Sequence, residues 1–114
     1  MTRQKILDTI KEIEAEKGTF DLTYDEQIDR LFVYLTQNLD LGLSVELRSN
    51  ANGLDYWLQT EYYSRKLGKT IIWDYDTGNF DDYDEVADYI IETEAEIEDF
   101  EERLPDLSPV AYIN

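Results

Sequence analysis

The chain has 114 residues, no Cys and no His, and 27 acidic residues against ten basic ones, a formal net charge of −17. That length makes one domain with a modest core, and the missing Cys and His exclude a disulfide framework, thiolate or imidazole zinc ligation, a cysteine nucleophile and the commonest general base. A hydrophobic fraction of 42% with nine Tyr, four Phe and two Trp separates it from a disordered acidic tail, which would be poor in both.

The opening stretch MTRQKILDTIKEIEAEKG is charged throughout and has no unbroken apolar centre, so no signal peptide is expected. No apolar run approaches the ~18 residues of a membrane span. A soluble, cytoplasmic protein is the expectation. Thr2 is placed to cap a first helix carrying Ile6, Ile10 and Ile13, with Gly18 as its stop. TYDE at 23–26 reads as a capping box of Thr23 with Glu26. It opens a second helix whose apolar positions are Ile28, Leu31, Phe32, Leu35 and Leu39.

Leu43, Val45 and Leu47 alternate with Ser44, Glu46 and Arg48, which is strand period. SNANG (49–53) reads as a hairpin turn, with Asn52-Gly53 supplying positive φ. The aromatic strand LDYWLQTEYY (54–63) follows, and SRKLGK turns the chain into a third strand, TIIWDY (70–75). DTGN breaks that strand. Asp82 with Glu85 makes a second capping box, opening a long helix through Leu104 that Pro105 ends. The tail DLSPVAYIN is apolar enough to pack, with no position assigned to it. The order is ααβββα: a single α+β domain, a three-stranded antiparallel meander with helices on one face.

The charge is unevenly spread. Residues 1–69 hold 12 acids and nine bases, a net of −3; residues 70–114 hold 15 acids and one base, a net of −14. Such asymmetry costs stability through self-repulsion and steers a basic partner to that half. Direct binding of DNA, RNA or an anionic membrane by this surface is not expected.

Several catalytic and metal patterns compete for the same acids. DTG at 76–78 is the aspartic-protease triplet, but a helix cap follows it here and the chain is not all-β, so a strand-end turn is the simpler account. Asp74, Asp76 and Glu85 match positions 1, 3 and 12 of an EF-hand loop. The required Gly is shifted by one, and a strand enters the loop. Paired carboxylates could serve a glycosidase, yet any acidic chain offers such pairs and this one leaves little room for a sugar cleft. No enzymatic activity, cofactor or dedicated metal site is therefore expected.

The last helix remains. Val86, Ile90, Ile97 and Leu104 fall on one stripe, flanked by Tyr89 and Phe100, and that stripe is the expected core face. Asp84, Glu85, Asp88, Glu92, Glu96, Glu98, Asp99 and Glu102 lie outside it. At ~1.5 Å per residue, Asp84 to Glu102 spans ~27 Å, one charge per ~3.4 Å, and a DNA strand carries one phosphate per ~3.4 Å. From Thr70 to Glu102 there is no Lys or Arg. A helix shaped for solubility alone interleaves both signs, because acid–base pairs at i,i+4 stabilise it and like pairs cost a few tenths of a kcal/mol. This favours an interaction surface over a merely solvated face.

With its β-meander followed by NFDDYDEVADYIIETEAEIEDFEERL (79–104), the chain resembles the small acidic DNA mimics encoded by phages. The nearest are anti-CRISPR proteins acting on Cas9, and more loosely antirestriction proteins. The resemblance covers roughly residues 40–104 and rests on element order, size and Asp/Glu/Tyr style; the first helix is a departure from it. It implies carboxylates standing in for phosphates in the PAM-reading groove of a Cas9-type nuclease. A nuclease toxin, covered by an immunity protein or antitoxin, is the alternative partner. The acids expected to meet the partner are Asp74 and Asp76 at the strand end, Asp81 and Asp82 at the cap, and Asp84, Glu85, Asp88, Glu92, Glu96, Asp99 and Glu102 on the helix. Charge reversal at Asp84, Asp88, Glu92 and Asp99 is expected to remove binding and spare the fold.

Overall fold

The computed structural model describes residues 1–105; the tail singled out above, 106–114, lies outside the described residues. Three helices and three strands follow in the expected order: α1 (Arg3–Lys17), α2 (Asp25–Asn38), β1 (Ser44–Ser49), β2 (Tyr56–Ser64), β3 (Lys69–Asp74) and α3 (Tyr83–Arg103). The strands form one antiparallel sheet in the order β1-β2-β3. The α+β class and the ααβββα order are those expected from hydrophobic period and capping.

α1 begins at Thr2, whose hydroxyl oxygen accepts from the Lys5 amide, and stops at Gly18 with φ 91°. A residue with a side chain would be strained there. α2 starts differently from its expected box. Its N-cap position is Tyr24, which makes no side-chain cap, because Thr23 is already engaged: its amide and hydroxyl both donate to Asp21 Oδ1, at 2.9 and 2.6 Å. Asp21, two residues back, accepts from the Thr23 amide that the Glu26 carboxylate would otherwise have taken in the box, and from the hydroxyl besides. With the cap moved to Tyr24, the reciprocal position falls on Gln27. Asp25 and Glu26 still favour the positive end of the helix dipole.

The β1–β2 connection is longer than the expected tight turn. Residues 50–55 form a loop in which Gly53 takes φ 68° and Asn52 does not take positive φ. Asn50 organises it, its side-chain oxygen accepting from the amides of Leu54 and Asp55 and its amide donating to the Asp55 carboxylate. Leu54 and Asp55 are therefore loop, and β2 begins at Tyr56.

One face of β2 carries Leu58, Thr60, Tyr62 and Ser64, all buried, and the helices gather on that side. α2 lies against β1 and β2, and α1 bridges α2 and α3. The core is one cluster in which Ile6 and Ile10 from α1, Ile28, Leu31, Phe32 and Leu35 from α2, Leu58 from β2, and Val86 and Ile90 from α3 are all at most 1% exposed. β3 joins it through an irregularity opposite Thr60 and Glu61: Glu61 pairs with Ile72 and Thr60 with Asp74, so Trp73 is the extra residue. Trp73 packs edge-on against Tyr62 and Phe100, while Asp74 accepts from the Tyr89 hydroxyl. Two consecutive β3 residues thus face α3, as a β-bulge permits. At the far edge of β1, the Leu47 amide donates to Asp29 of α2, which occupies a group that would otherwise invite another strand.

Candidate functional site

The acidic segment runs from the end of β3 along the whole of α3, and its carboxylates divide into two groups. The first is tied into the fold. At the entry to α3, Asp82 Oδ1 accepts from the Glu85 amide at 3.0 Å, and Glu85 Oε2 accepts from the Asp81 amide at 2.7 Å. The expected capping box forms, with its return arm landing one residue earlier. Asp74 accepts from the Asp76 amide at 3.0 Å and from the Tyr89 hydroxyl at 3.2 Å. Behind it Thr60, Thr77 and Tyr89 share their hydroxyls, with Thr60 2.7 Å from Thr77 and 2.6 Å from Tyr89. Burial pushes the Tyr89 phenol above its usual range, so the group remains a neutral donor and acceptor.

These engagements give the residues of the DTG and EF-hand-like patterns local structural roles. Thr77 is buried in the hydroxyl cluster, and Gly78 and Asn79 at φ 146° and 60° make the turn that swings the chain towards α3. Glu85, which an EF-hand would need as its bidentate ligand, is spent on the cap. Among the described residues no three Asp or Glu side chains converge as a metal cage.

Arg3 of α1 is the feature the sequence does not announce. Its Nε donates to Asp88 at 2.6 Å and its Nη2 to Asp84 at 2.8 Å, so one guanidinium bridges two carboxylates a helical turn apart. The bond to Asp88 leads in holding that guanidinium still more firmly charged. All three side chains are about half exposed, so the pair orients α1 on α3 more than it stabilises the whole. For Asp84 and Asp88 this changes the expectation of harmless charge reversal: a Lys at either position faces Arg3.

Further along, Glu94 accepts from the Gly42 amide at 2.7 Å. Glu101 accepts from the Tyr62 hydroxyl at 2.9 Å, the Ser64 hydroxyl at 2.9 and 3.0 Å and the Lys66 amide at 3.0 Å. That backbone bond from Lys66, followed by the two hydroxyls, holds the Glu101 carboxyl below the usual range. Neither Glu94 nor Glu101 stands out in a helix of like residues; only their turn towards the sheet marks them, at 8 and 15 residues past Val86 on the inward-leaning side.

The second group is free. Asp76, Asp81, Glu92, Glu96, Glu98 and Glu102 are exposed, and among the described residues none of their carboxylates meets a hydrogen-bond donor or a cation. Asp99 has Arg103 at 3.0 Å, an exposed i,i+4 pair of little strength. Glu92, Glu96 and Asp99 succeed one another at spacings of four and three, so they share one ridge on the solvent side of α3. Of the eleven expected contact residues, the structure thus places Glu92, Glu96, Asp99 and Glu102 from the middle of α3 to its C-terminal end and Asp76 and Asp81 just before its start. Asp74, Asp82, Asp84, Glu85 and Asp88 have internal partners.

No protein family, curated protein or solved structure matches this chain.

Proposed function

We propose that this chain is an acidic DNA mimic: a binding protein without enzymatic activity or cofactor that occupies the DNA-binding groove of a basic bacterial nuclease. The partner implied by the resemblance is a Cas9-type nuclease, met in the cytoplasm of the bacterial host. The observation that carries the reading is the ridge of Glu92, Glu96 and Asp99 with Glu102, which projects into solvent on a helix with ten acids and a single base. Other acids of this helix are used to hold the fold, yet these contribute nothing beyond the exposed Asp99–Arg103 pair. Uncompensated like charges a turn apart destabilise a helix, so their retention favours a partner that supplies the missing cations. The fixed spacing on a helix docked at both ends gives that partner a preorganised row of acceptors.

The test is competition. Purified Cas9-type nuclease–guide complexes from a panel of bacteria are mixed with the chain, and binding and cleavage of a matched duplex are followed across a salt series. Inhibition of at least one complex, relieved as salt rises, is the expected result, since screening shortens to about 8 Å at 0.15 M. The chain alone should give no gel shift with duplex DNA. No inhibition across the panel, together with inhibition of a co-encoded nuclease toxin, would replace the nuclease groove by a toxin active site.

A further inference from the structure

The core is thinly covered where β3 meets the end of α3. Tyr62, Trp73 and Phe100 come together edge-on there, with the Trp73 and Phe100 ring centroids 5.5 Å apart. Tyr62 is buried, but Trp73 and Phe100 are only partly so, as are Ile71 on the same face of β3 and Leu104 at the helix end. Among the described residues α2 packs on β1 and β2, whereas β3 meets the helix layer through Trp73 on Phe100 and Asp74 on Tyr89. β3 is also an edge strand, so no further strand among the described residues lies beyond it.

We propose that the segment 106–114 turns back along this edge and covers it, seating Leu107, Val110, Tyr112 and Ile113 against Trp73 and Phe100. Its point of departure selects it as the occupant. The Leu104 carbonyl accepts from Lys66 Nζ at 3.0 Å, so the chain leaves α3 beside the β2–β3 turn, where β3 begins. Nine extended residues reach up to ~30 Å, and the six residues of β3 span ~20 Å. The segment can run the length of the strand with chain to spare.

Composition and charge agree with this occupant. Residues 106–114 carry one acid, Asp106, and no base, and five of the nine are Leu, Val, Ala, Tyr or Ile. An extension kept only for solubility would be poor in such side chains. The turn at the point of departure holds Arg65, Lys66 and Lys69, three of the chain's ten bases, so Asp106 meets attraction where the acidic run ends. A second copy would have to approach this edge against a net charge of −17. The tethered segment is held beside it at roughly millimolar effective concentration, with no association to complete. The proposal stands apart from the DNA-mimic reading and needs no partner for its test.

The two tryptophans report on the two faces of the sheet separately. Trp73 lies under the proposed cover, and Trp57 is on the opposite face, where its Nε1 donates to Gln59. In the full chain bearing Trp57→Phe, adding Val110→Asp and Ile113→Asp should raise acrylamide quenching of Trp73 about twofold and shift its emission to the red, as an uncovered ring gains water. In the full chain bearing Trp73→Phe, the same two changes should leave Trp57 as it was, with circular dichroism unaltered in both. Quenching of Trp73 that ignores the two changes overturns the proposal. So does a rise shared equally by Trp57, which would mean a general loosening of the fold. Protection of Trp73 that fades on dilution from submillimolar to micromolar chain also overturns it, because the cover would then be a second copy.

Discussion

Tyr89 shows how a single side chain can serve both the core and the acidic surface. Its ring packs edge-on against Phe80, and its hydroxyl joins Thr60, Thr77 and Asp74. Tyr89→Phe keeps the ring and removes the hydroxyl, leaving partly buried groups without their partner. A loss of about 1–3 kcal/mol is expected in urea unfolding. Glu101 offers a pH-dependent counterpart. Its carboxyl is held below its ordinary 4.5, so ionised Glu101 stabilises the fold above that pH, and the contribution disappears as pH falls through the lower folded value. Glu101→Gln should therefore lower Tm at pH 7, and the gap between variant and wild type should close as the pH is taken below about 4.5. A gap that stays constant from neutral pH to acid would show that Glu101 acts by packing alone.

At the scale of the element, α3 is two helices superposed: an inward face fixed by Val86, Ala87, Ile90, Thr93 and Ile97, and an outward ridge that nothing in the fold requires. Reversing Glu92, Glu96, Asp99 and Glu102 to Lys together should abolish partner binding and leave Tm equal or higher, since like-charge neighbours disappear. The same operation on Asp84 and Asp88 should lower Tm, because two new cations face Arg3 at the junction of α1 and α3. Adding Arg3→Glu to that pair should restore much of the loss. The swap separates an ion pair that orients a helix from a surface kept for a partner. Single Ala substitutions on the ridge are a poor test, because each exposed charge contributes under about 1 kcal/mol.

At the scale of the whole molecule, the balance is between a core that buries eighteen hydrophobic side chains among the described residues and a surface of one dominant sign. The repulsion is long-ranged and screened by salt, whereas burial of Phe32, Leu31 or Ile90 is not. Tm at neutral pH should therefore rise as sodium chloride is raised from about 10 to 500 mM, the interval in which the Debye length falls steeply. A fall over the same interval would mean that the few ion pairs, led by Arg3, outweigh the repulsion. No helix among the described residues is long and apolar enough to cross a membrane, in keeping with that polar surface.

The order of elements and the core were legible in the sequence because both are local properties. Ile6, Ile10 and Ile13, the Ile28–Leu35 stripe and Val86 with Ile90 repeat at helical period, and Leu43, Val45 and Leu47 at strand period; each period fixes a face before any partner is known. The cap at Asp82 was legible for the same reason, as its bonds span three and four residues. Tertiary structure decided the rest. Thr23 was lost as a cap to Asp21, a competitor two residues away whose turn the capping pattern does not encode. Arg3 meets Asp84 and Asp88 across more than 80 positions, and Glu101 meets Tyr62, Ser64 and Lys66 across more than 30. Composition supplies the number of carboxylates and their segregation in the chain. Which of them remain free for a partner depends on where helix and sheet donors arrive in space, because a carboxylate is satisfied by whatever donor lies within about 3 Å, however distant it is along the chain.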